Sequence, residues 1–216
     1  MKIEFIIYYL QTYIYFCFCL FFCPNFFLKS TMIKVFTGSM FSGKTTKLIQ
    51  LAREFPSIVF KSSIDKKNII LSHNNKKLDS IVIDKPHEIY DHVIQMNNKN
   101  KKVILIDEVQ FMDDTIINVL KDLRHKKHQV AVFGLDMDYL GQPFGCMPKI
   151  MAIANEVCKL HTKCFLCLTN LENKPNDAIY TKLLDPDNAI LNYEDEGNPI
   201  VIGGCDKYMA VCEEHF

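Results

Sequence analysis

The chain has no tryptophan, and among its 25 basic residues only Arg53 and Arg124 are arginines. Arginine is the side chain that most often reaches across to a γ-phosphate or grips a nucleic acid in bidentate fashion, so its scarcity weighs against both roles. Net charge is missing as well. The 25 basic residues are balanced by 25 acidic ones, and no global basic field draws the chain onto a polyanion. No internal repeat of solenoid length is present. With 49% hydrophobic residues in 216, the chain can bury the core of one domain plus a small appendage. The abundance of Lys, Asn, Ile, Tyr and Phe fits an AT-rich coding sequence better than any physical demand.

Charge is also absent between Glu4 and Lys29, where Phe, Tyr, Ile, Leu and Cys crowd together. This leader (1–31) is long enough to span a bilayer or to act as an uncleaved signal. It lacks the small-residue cleavage site of a signal peptide. Met32 stands directly before a strand-like run, as the start of a compact domain would. Residues 1–31 are therefore expected not to belong to the working protein. Membrane attachment through residues 5–28, or a partner-binding tail, remains the alternative.

Residues 38–45 read Gly38-Ser39-Met40-Phe41-Ser42-Gly43-Lys44-Thr45. That is the G-x-x-x-x-G-K-[ST] pattern of a phosphate loop. Its glycines let backbone N–H groups turn onto phosphate, Lys44 reaches the β and γ oxygens, and the Thr45 hydroxyl ligates Mg²⁺. The apolar, β-branched run Ile33–Thr37 precedes it. Leu48, Ile49, Ala52 and Phe55 then recur on one helical face until Pro56 stops the helix. Strand, glycine loop and helix are the order that phosphate binding requires.

Val103-Ile104-Leu105-Ile106 reads as a buried parallel strand with Asp107 and Glu108 at its C-terminal end. Ligands of open parallel sheets bind along that edge. Asp107 is placed to hold Mg²⁺, and Glu108 to accept a proton from an attacking hydroxyl or water. Ser57–Phe60, Ile81–Ile83 and Gln129–Phe133 read as further strands. A helix is expected over 86–96, opened by Pro86, and another capped by Asp113 and Asp114 and running to about Lys127. Alternation of strands and helices predicts an α/β fold, a parallel sheet with right-handed crossovers and helices on both faces. The basic clusters 99–102 and 124–128 read as solvated ends of elements.

Cys164-x-x-Cys167 and Cys212-x-x-His215 are two short metal-ligand pairs, together what one tetrahedral Zn²⁺ needs. The distance between the pairs exceeds that of a DNA-reading finger and suggests a zinc ribbon carrying an insertion. Four protein ligands leave no position for water, so such a site is structural. ATP use implies a reducing, cytoplasmic compartment, which disfavours disulfides. Cys146, Cys158 and Cys205 have no pairing pattern and read as core or loop residues.

Together these pieces resemble the type II thymidine kinases of bacteria, animals and several large DNA viruses. The resemblance runs from Met32 to His215. The phosphate loop is similar to that family's down to Met40 and Phe41. Asp107-Glu108-Val109-Gln110-Phe111 resembles its D-E-A-Q-F segment. Gly134 to Phe144 resembles G-L-D-x-D-F-x-G-x-P-F, with Tyr139 where Phe is usual. Ile202 to Tyr208 resembles its I-G-G-x-x-x-Y lasso, with Cys205 an unusual member, and His215 replaces the commoner fourth cysteine.

The resemblance implies a P-loop, RecA-like domain over 32–156 and a small zinc-ribbon and lasso domain over 157–216. It implies transfer of the ATP γ-phosphoryl group to the 5′-hydroxyl of thymidine, with Glu108 as base. Met40, Phe111, Leu135, Tyr139 and Phe144 would wall the thymine pocket, and Thr181 would line it. Val201 and Gly203 would bind the base through the main chain of the lasso, and Tyr208 would contact the nucleoside. Zn²⁺ would anchor the lasso, Mg²⁺ would accompany ATP, and the chain would form homotetramers without nucleic acid as a partner. Around Asp65 and His73 the match is loose, in a Lys- and Asn-rich arm. Two other classes compete. Asp107-Glu108-Val109-Gln110 also reads as the D-E-x-Q of a nucleic-acid-stimulated ATPase, but such a motor needs a second lobe and arginines that this chain lacks. A zinc-ribbon interaction protein with the nucleotide as a switch would not need the Glu108 base.

Overall fold

The computed structural model describes residues 32–64, 69–71, 77–94, 103–170, 174–184 and 203–216. The apolar leader, Asp65, His73, the basic cluster 99–102 and Val201 lie outside them.

Near-continuous apolar, largely β-branched runs, buried on both faces, build one six-stranded sheet. Its strands are β1 (Met32–Thr37), β2 (Ser57–Ser62), β5 (Ile81–Ile83), β6 (Val103–Asp107), β7 (Gln129–Phe133) and β8 (Glu156–Lys159), in the order β5-β2-β6-β7-β1-β8. Every pairing is parallel. A short antiparallel pair, β3 (Ile69–Leu71) and β4 (Lys77–Asp79), lies between β2 and β5 in the chain.

The two-residue period of a strand sends neighbours to opposite faces. Ile33, Val35, Ile104, Ile106, Val130 and Val132 accordingly share one core cluster, and Phe36, Leu105, Ala131 and Phe133 share the other. Phe36 and Phe133 are register partners whose rings stack at 4.9 Å. Helix α1 (Lys44–Glu54) covers the second face with Leu48, Ile49 and Leu51. Helices α2 (Glu88–Ile94), α3 (Ile116–His125) and α4 (Met147–Ile153) cover the first. Each fully buried Leu or Ile in these layers contributes about 1.5–3 kcal/mol. Lys34 stands in this apolar setting only 1% exposed, and its ammonium is compensated by Glu156 of β8 at 2.7 Å.

Helix α3 begins later than the two aspartates suggest. Asp113 accepts from the Thr115 N–H at 2.8 Å and from its hydroxyl, so it organises the turn that leads into the helix. Those bonds hold its carboxyl below the ordinary range. Asp114 turns instead to Lys149 of α4. At the other end Lys127 takes φ 67, and the His128 N–H reaches the Leu123 carbonyl at 3.0 Å. A lysine thus fills the left-handed helix-ending position that glycine usually occupies.

Beyond the sheet the elements are short: β9 (Thr162–Lys163), α5 (Phe165–Thr169), β10 (Asp177–Ala178), β11 (Tyr180–Leu183) and β12 (Tyr208–Val211). Strand β9 pairs with β10 and β11 with β12, both antiparallel. The expected boundary between 156 and 157 falls within β8, which runs to Lys159 beside β1.

Candidate active site

The phosphate loop leaves the C-terminal end of β1 and enters α1. Gly38 has φ 136, and a Cβ there would stand 2.2 Å from the Leu160 carbonyl oxygen, so only glycine fits. Gly43 has φ 92, and Phe41 takes φ 65 although it carries a side chain. Left-handed non-glycine residues cost energy and gather at functional sites. Lys44 curls back over the loop and donates to the carbonyls of Gly38 at 3.0 Å and Ser39 at 2.7 Å. The Ser39 hydroxyl is buried with no hydrogen-bond partner among the described residues. It is a polar atom on the loop that a phosphate oxygen would satisfy.

Strand β6 delivers the carboxylates to the same edge. Asp107 is buried and lies in register with Lys61 of β2. Burial, reinforced by the Glu108 charge, pushes its carboxyl up to about 7, against a hydrogen bond from the Glu108 backbone and the charges of Lys61 and Lys44. Burial pulls the Lys44 ammonium below its ordinary value, and Glu108, Asp107 and Asp136 act in the opposite direction. Lysine and three carboxylates thus share one electrostatic site. Glu108 has φ 52 and opens the single 3₁₀ turn Val109–Phe111.

The loop after β7 completes the edge. Thr37 donates its hydroxyl proton to the Gly134 carbonyl at 3.0 Å, joining the ends of β1 and β7. Asp136 pairs with Lys159 at 2.7 Å. Asp138 folds the following turn, its carboxylate accepting from the N–H groups of Leu140 and Gln142, both at 2.9 Å. Phe111 and Phe144 meet edge to face at 5.3 Å between ring centroids. Leu135, Tyr139 and Met40 are half-buried around this edge.

Thr181 of β11 comes to the phosphate loop. The Met40 N–H donates to its Oγ1 at 2.9 Å across 141 residues of chain, and Thr181 is 4% exposed. Tyr208 is buried at the start of β12, opposite Leu183. Gly203 is exposed where the described chain resumes. The next turn is fixed by Asp206, which accepts from the Gly204 N–H at 2.8 Å.

Cys164, Cys167, Cys212 and His215 gather into one group whose ligand atoms all lie within 4.8 Å of one another. Cys167 and Cys212 sulfurs are 3.8 Å apart, and His215 Nδ1 is 3.4, 3.5 and 3.2 Å from Cys164, Cys167 and Cys212. Tetrahedral Zn²⁺ with bonds of about 2.3 Å to sulfur and about 2.0–2.1 Å to nitrogen requires about 3.8 Å between sulfurs and about 3.6 Å between nitrogen and sulfur. The group therefore has the dimensions to hold a metal ion such as zinc. Tyr180 and Phe216 stack beside it at 4.1 Å, and Lys182 donates to the carbonyls of His215 and Phe216 at 2.9 and 2.7 Å.

The motif residues 38–45, 107 and 108 thus converge on one sheet edge, with Thr181 docked onto them from the C-terminal hairpin. Sequence reasoning assigned nothing to Gln110, Asp136 or Lys61 individually. The first two stood inside recognised motifs, but the partners that give them a place are distant in the chain. Among the described residues no helix is long and apolar enough to cross a membrane.

A glycine-rich phosphate loop, a parallel sheet and paired carboxylates at the end of β6, one strand removed from β1, define a P-loop nucleotide-binding protein. The thymidine kinase family model matches residues 31–216. A curated thymidine kinase of Mycoplasma genitalium is 34% identical over 199 residues, covering 89% of this chain and 86% of that protein. The chain belongs to the thymidine kinase family. Among solved structures, the Legionella pneumophila ATPase DotB aligns over 58% of this chain and 35% of its own, at 15% identity and a TM-score of 0.37. That likeness is too slight to carry an argument.

Proposed function

We infer that this protein transfers the γ-phosphoryl group of ATP to the 5′-hydroxyl of thymidine, producing dTMP. The observation that carries the reading is that the phosphate loop after β1, with Lys44 folded over it, and the Asp107–Glu108 end of β6 lie at the same edge of one parallel sheet. Phosphoryl transfer asks a protein for positioning and charge stabilisation more than for covalent chemistry. The N–H groups of the loop 38–45 cradle the phosphates, and Lys44 leaves the loop carbonyls for the β and γ oxygens. Thr45 and Asp107 would hold Mg²⁺, which would supply charge to neutralise the phosphate oxygens. Glu108 accepts the proton of the thymidine hydroxyl.

Met40, Phe111, Leu135, Tyr139, Phe144 and Thr181 wall the base pocket, and the lasso, with Val201 and Gly203, closes it. A flat, weakly polar base suits an apolar, aromatic wall read at its edge by backbone groups. Tyr208 contacts the nucleoside. Cys164, Cys167, Cys212 and His215 would hold Zn²⁺, which would tie the end of β12 to the α5 segment and so steady the hairpin that carries Thr181. The nucleotide unit corresponds to 32–156, with β8 carrying its sheet on to Lys159, and the ribbon and lasso to the remainder of 157–216. The enzyme acts in the cytoplasm as a homotetramer and needs no nucleic acid. A motor ATPase would place arginine at the γ-phosphate. Arg124 instead donates to the Ile153 carbonyl at 2.8 Å, and Arg53 is exposed on the last turn of α1.

The test is phosphoryl transfer from labelled ATP to thymidine, deoxyuridine, deoxycytidine or no acceptor, using zinc-loaded protein with and without residues 1–31. Thymidine-dependent product that collapses in Glu108→Gln is expected. Folded, ATP-binding protein that forms no product would overturn the reading, and stimulation by single-stranded DNA alone would move it to the ATPase class.

A further inference from the structure

Gln110 is a buried amide, 3% exposed, two residues beyond Glu108 on the 3₁₀ turn. Both ends of the amide are engaged. Its Oε1 accepts from the Leu135 N–H at 3.2 Å, and its Nε2 donates to Glu108 Oε2 at 2.5 Å. The backbone N–H of Leu135 can only donate, so the oxygen must face it and the NH₂ must face Glu108. The amide orientation is therefore fixed by chemistry. The surroundings leave it little freedom. A Cβ on Gly134 would stand 2.6 Å from Gln110 Oε1, and one on Gly145 would stand 2.2 Å from the Gln110 carbonyl oxygen. Both neighbours are glycines: the Gln110 side chain lies against Gly134 and its backbone against Gly145.

Glu108 needs such a partner. Its backbone sits at φ 52, where a residue with a side chain is strained and must be held by its surroundings. The bond from Gln110 engages Oε2, and Oε1 would then be the oxygen offered to the acceptor hydroxyl. The same amide grips the first residue after Gly134, in the segment that walls the base pocket.

We propose that Gln110 is a positioning residue for phosphoryl transfer, clamping the Glu108 carboxylate to the Leu135 segment so that the seated nucleoside and its proton acceptor are held in one geometry. This rests on Glu108 being the base.

The experiment compares the full-length, zinc-loaded protein with Gln110→Met, Glu108→Gln and the double variant. Methionine keeps the length and removes both hydrogen bonds. Gln110→Met is expected to lower kcat by about ten- to a hundredfold, with KM for ATP and thymidine within about threefold, because a misplaced catalytic group costs rate more than binding. In the Glu108→Gln background it should change the single-turnover rate by less than about twofold, since a residue acting through Glu108 has nothing left to position. An equal loss in both backgrounds would mean a general structural role and overturns the proposal. So does a raised thymidine KM with unchanged kcat, which would mean that the amide serves Leu135 alone. If Gln110→Met does not fold, Gln110→Asn, an amide one methylene short, reads the same non-additivity. Loss of rate in Glu108→Gln with none in either Gln110 variant defeats this proposal only. Full rate in Glu108→Gln defeats the base assignment itself.

Discussion

Thr181→Val removes one hydroxyl and little volume, and it isolates the contact between the C-terminal hairpin and the phosphate loop. In the native protein the Met40 N–H donates to Thr181 Oγ1 at 2.9 Å, and Thr181 is 4% exposed. Valine cannot accept, so the Met40 N–H loses its partner in a place that water reaches poorly. Leaving a buried donor unsatisfied costs about 1–3 kcal/mol. Met40 is half-buried, which places the cost at the lower end, about 1–1.5 kcal/mol. At about 1.4 kcal/mol per tenfold, that weakens Mg²⁺–ATP binding by about five- to twelvefold if the loop must hold this shape to bind phosphate. Calorimetric titration of Mg²⁺–ATP, without thymidine, reads the loop separately from the base pocket. Thr181→Ser keeps the acceptor and should stay within about twofold of the parent. Nucleotide affinity unchanged in Thr181→Val would refute the idea that the hairpin supports the loop.

Three further outcomes follow from the geometry. Purified protein should carry one zinc per chain by elemental analysis, and Cys167→Ser should lose it and, through the freed hairpin, weaken thymidine phosphorylation more than ATP binding; zinc-free protein with full activity would contradict the clamp. Gly145→Ala should lower stability by about 2–3 kcal/mol in denaturant titration, because φ 52 and a Cβ 2.2 Å from the Gln110 carbonyl oxygen leave no unstrained position. At pH 8, mass-mapped alkylation should modify exposed Cys205 quickly and Cys146 only on unfolding, because burial pushes the Cys146 thiol up to about 11 and its Sγ donates to the Val109 carbonyl at 3.1 Å; rapid labelling of Cys146 in the native state would contradict that packing.

Much of the fold was legible because its signals are local. Strand runs at 33–37, 103–106 and 129–133 alternate or fill with β-branched residues, and each became a strand of the sheet. The helix expected over 86–96 is found at Glu88–Ile94, with the residues beyond it outside the described ones. The aspartates before α3 misled by one or two residues, since Thr115 takes the cap position, Asp113 bonds within its own turn and Asp114 answers Lys149. Strand β8 was not foreseen. Glu156-Val157-Cys158-Lys159 shows no alternation of polar and apolar residues, and it is a strand because β1 offers it an open edge.

The sequence by itself determined which residues could do the chemistry. The phosphate loop, the paired carboxylates and the two short metal-ligand pairs depend on residue type and near spacing, which a linear pattern records in full. Tertiary structure decided what those residues act upon. Strand order put Lys44, Asp107 and Asp136 in one field, and chain folding brought Thr181 to Met40 and Leu135 to Gln110. The physical reason is that a hydrogen bond or a charge pair is a matter of ångströms in space. Across 25 or 141 residues of chain, only the packed sheet and its hairpins set that distance.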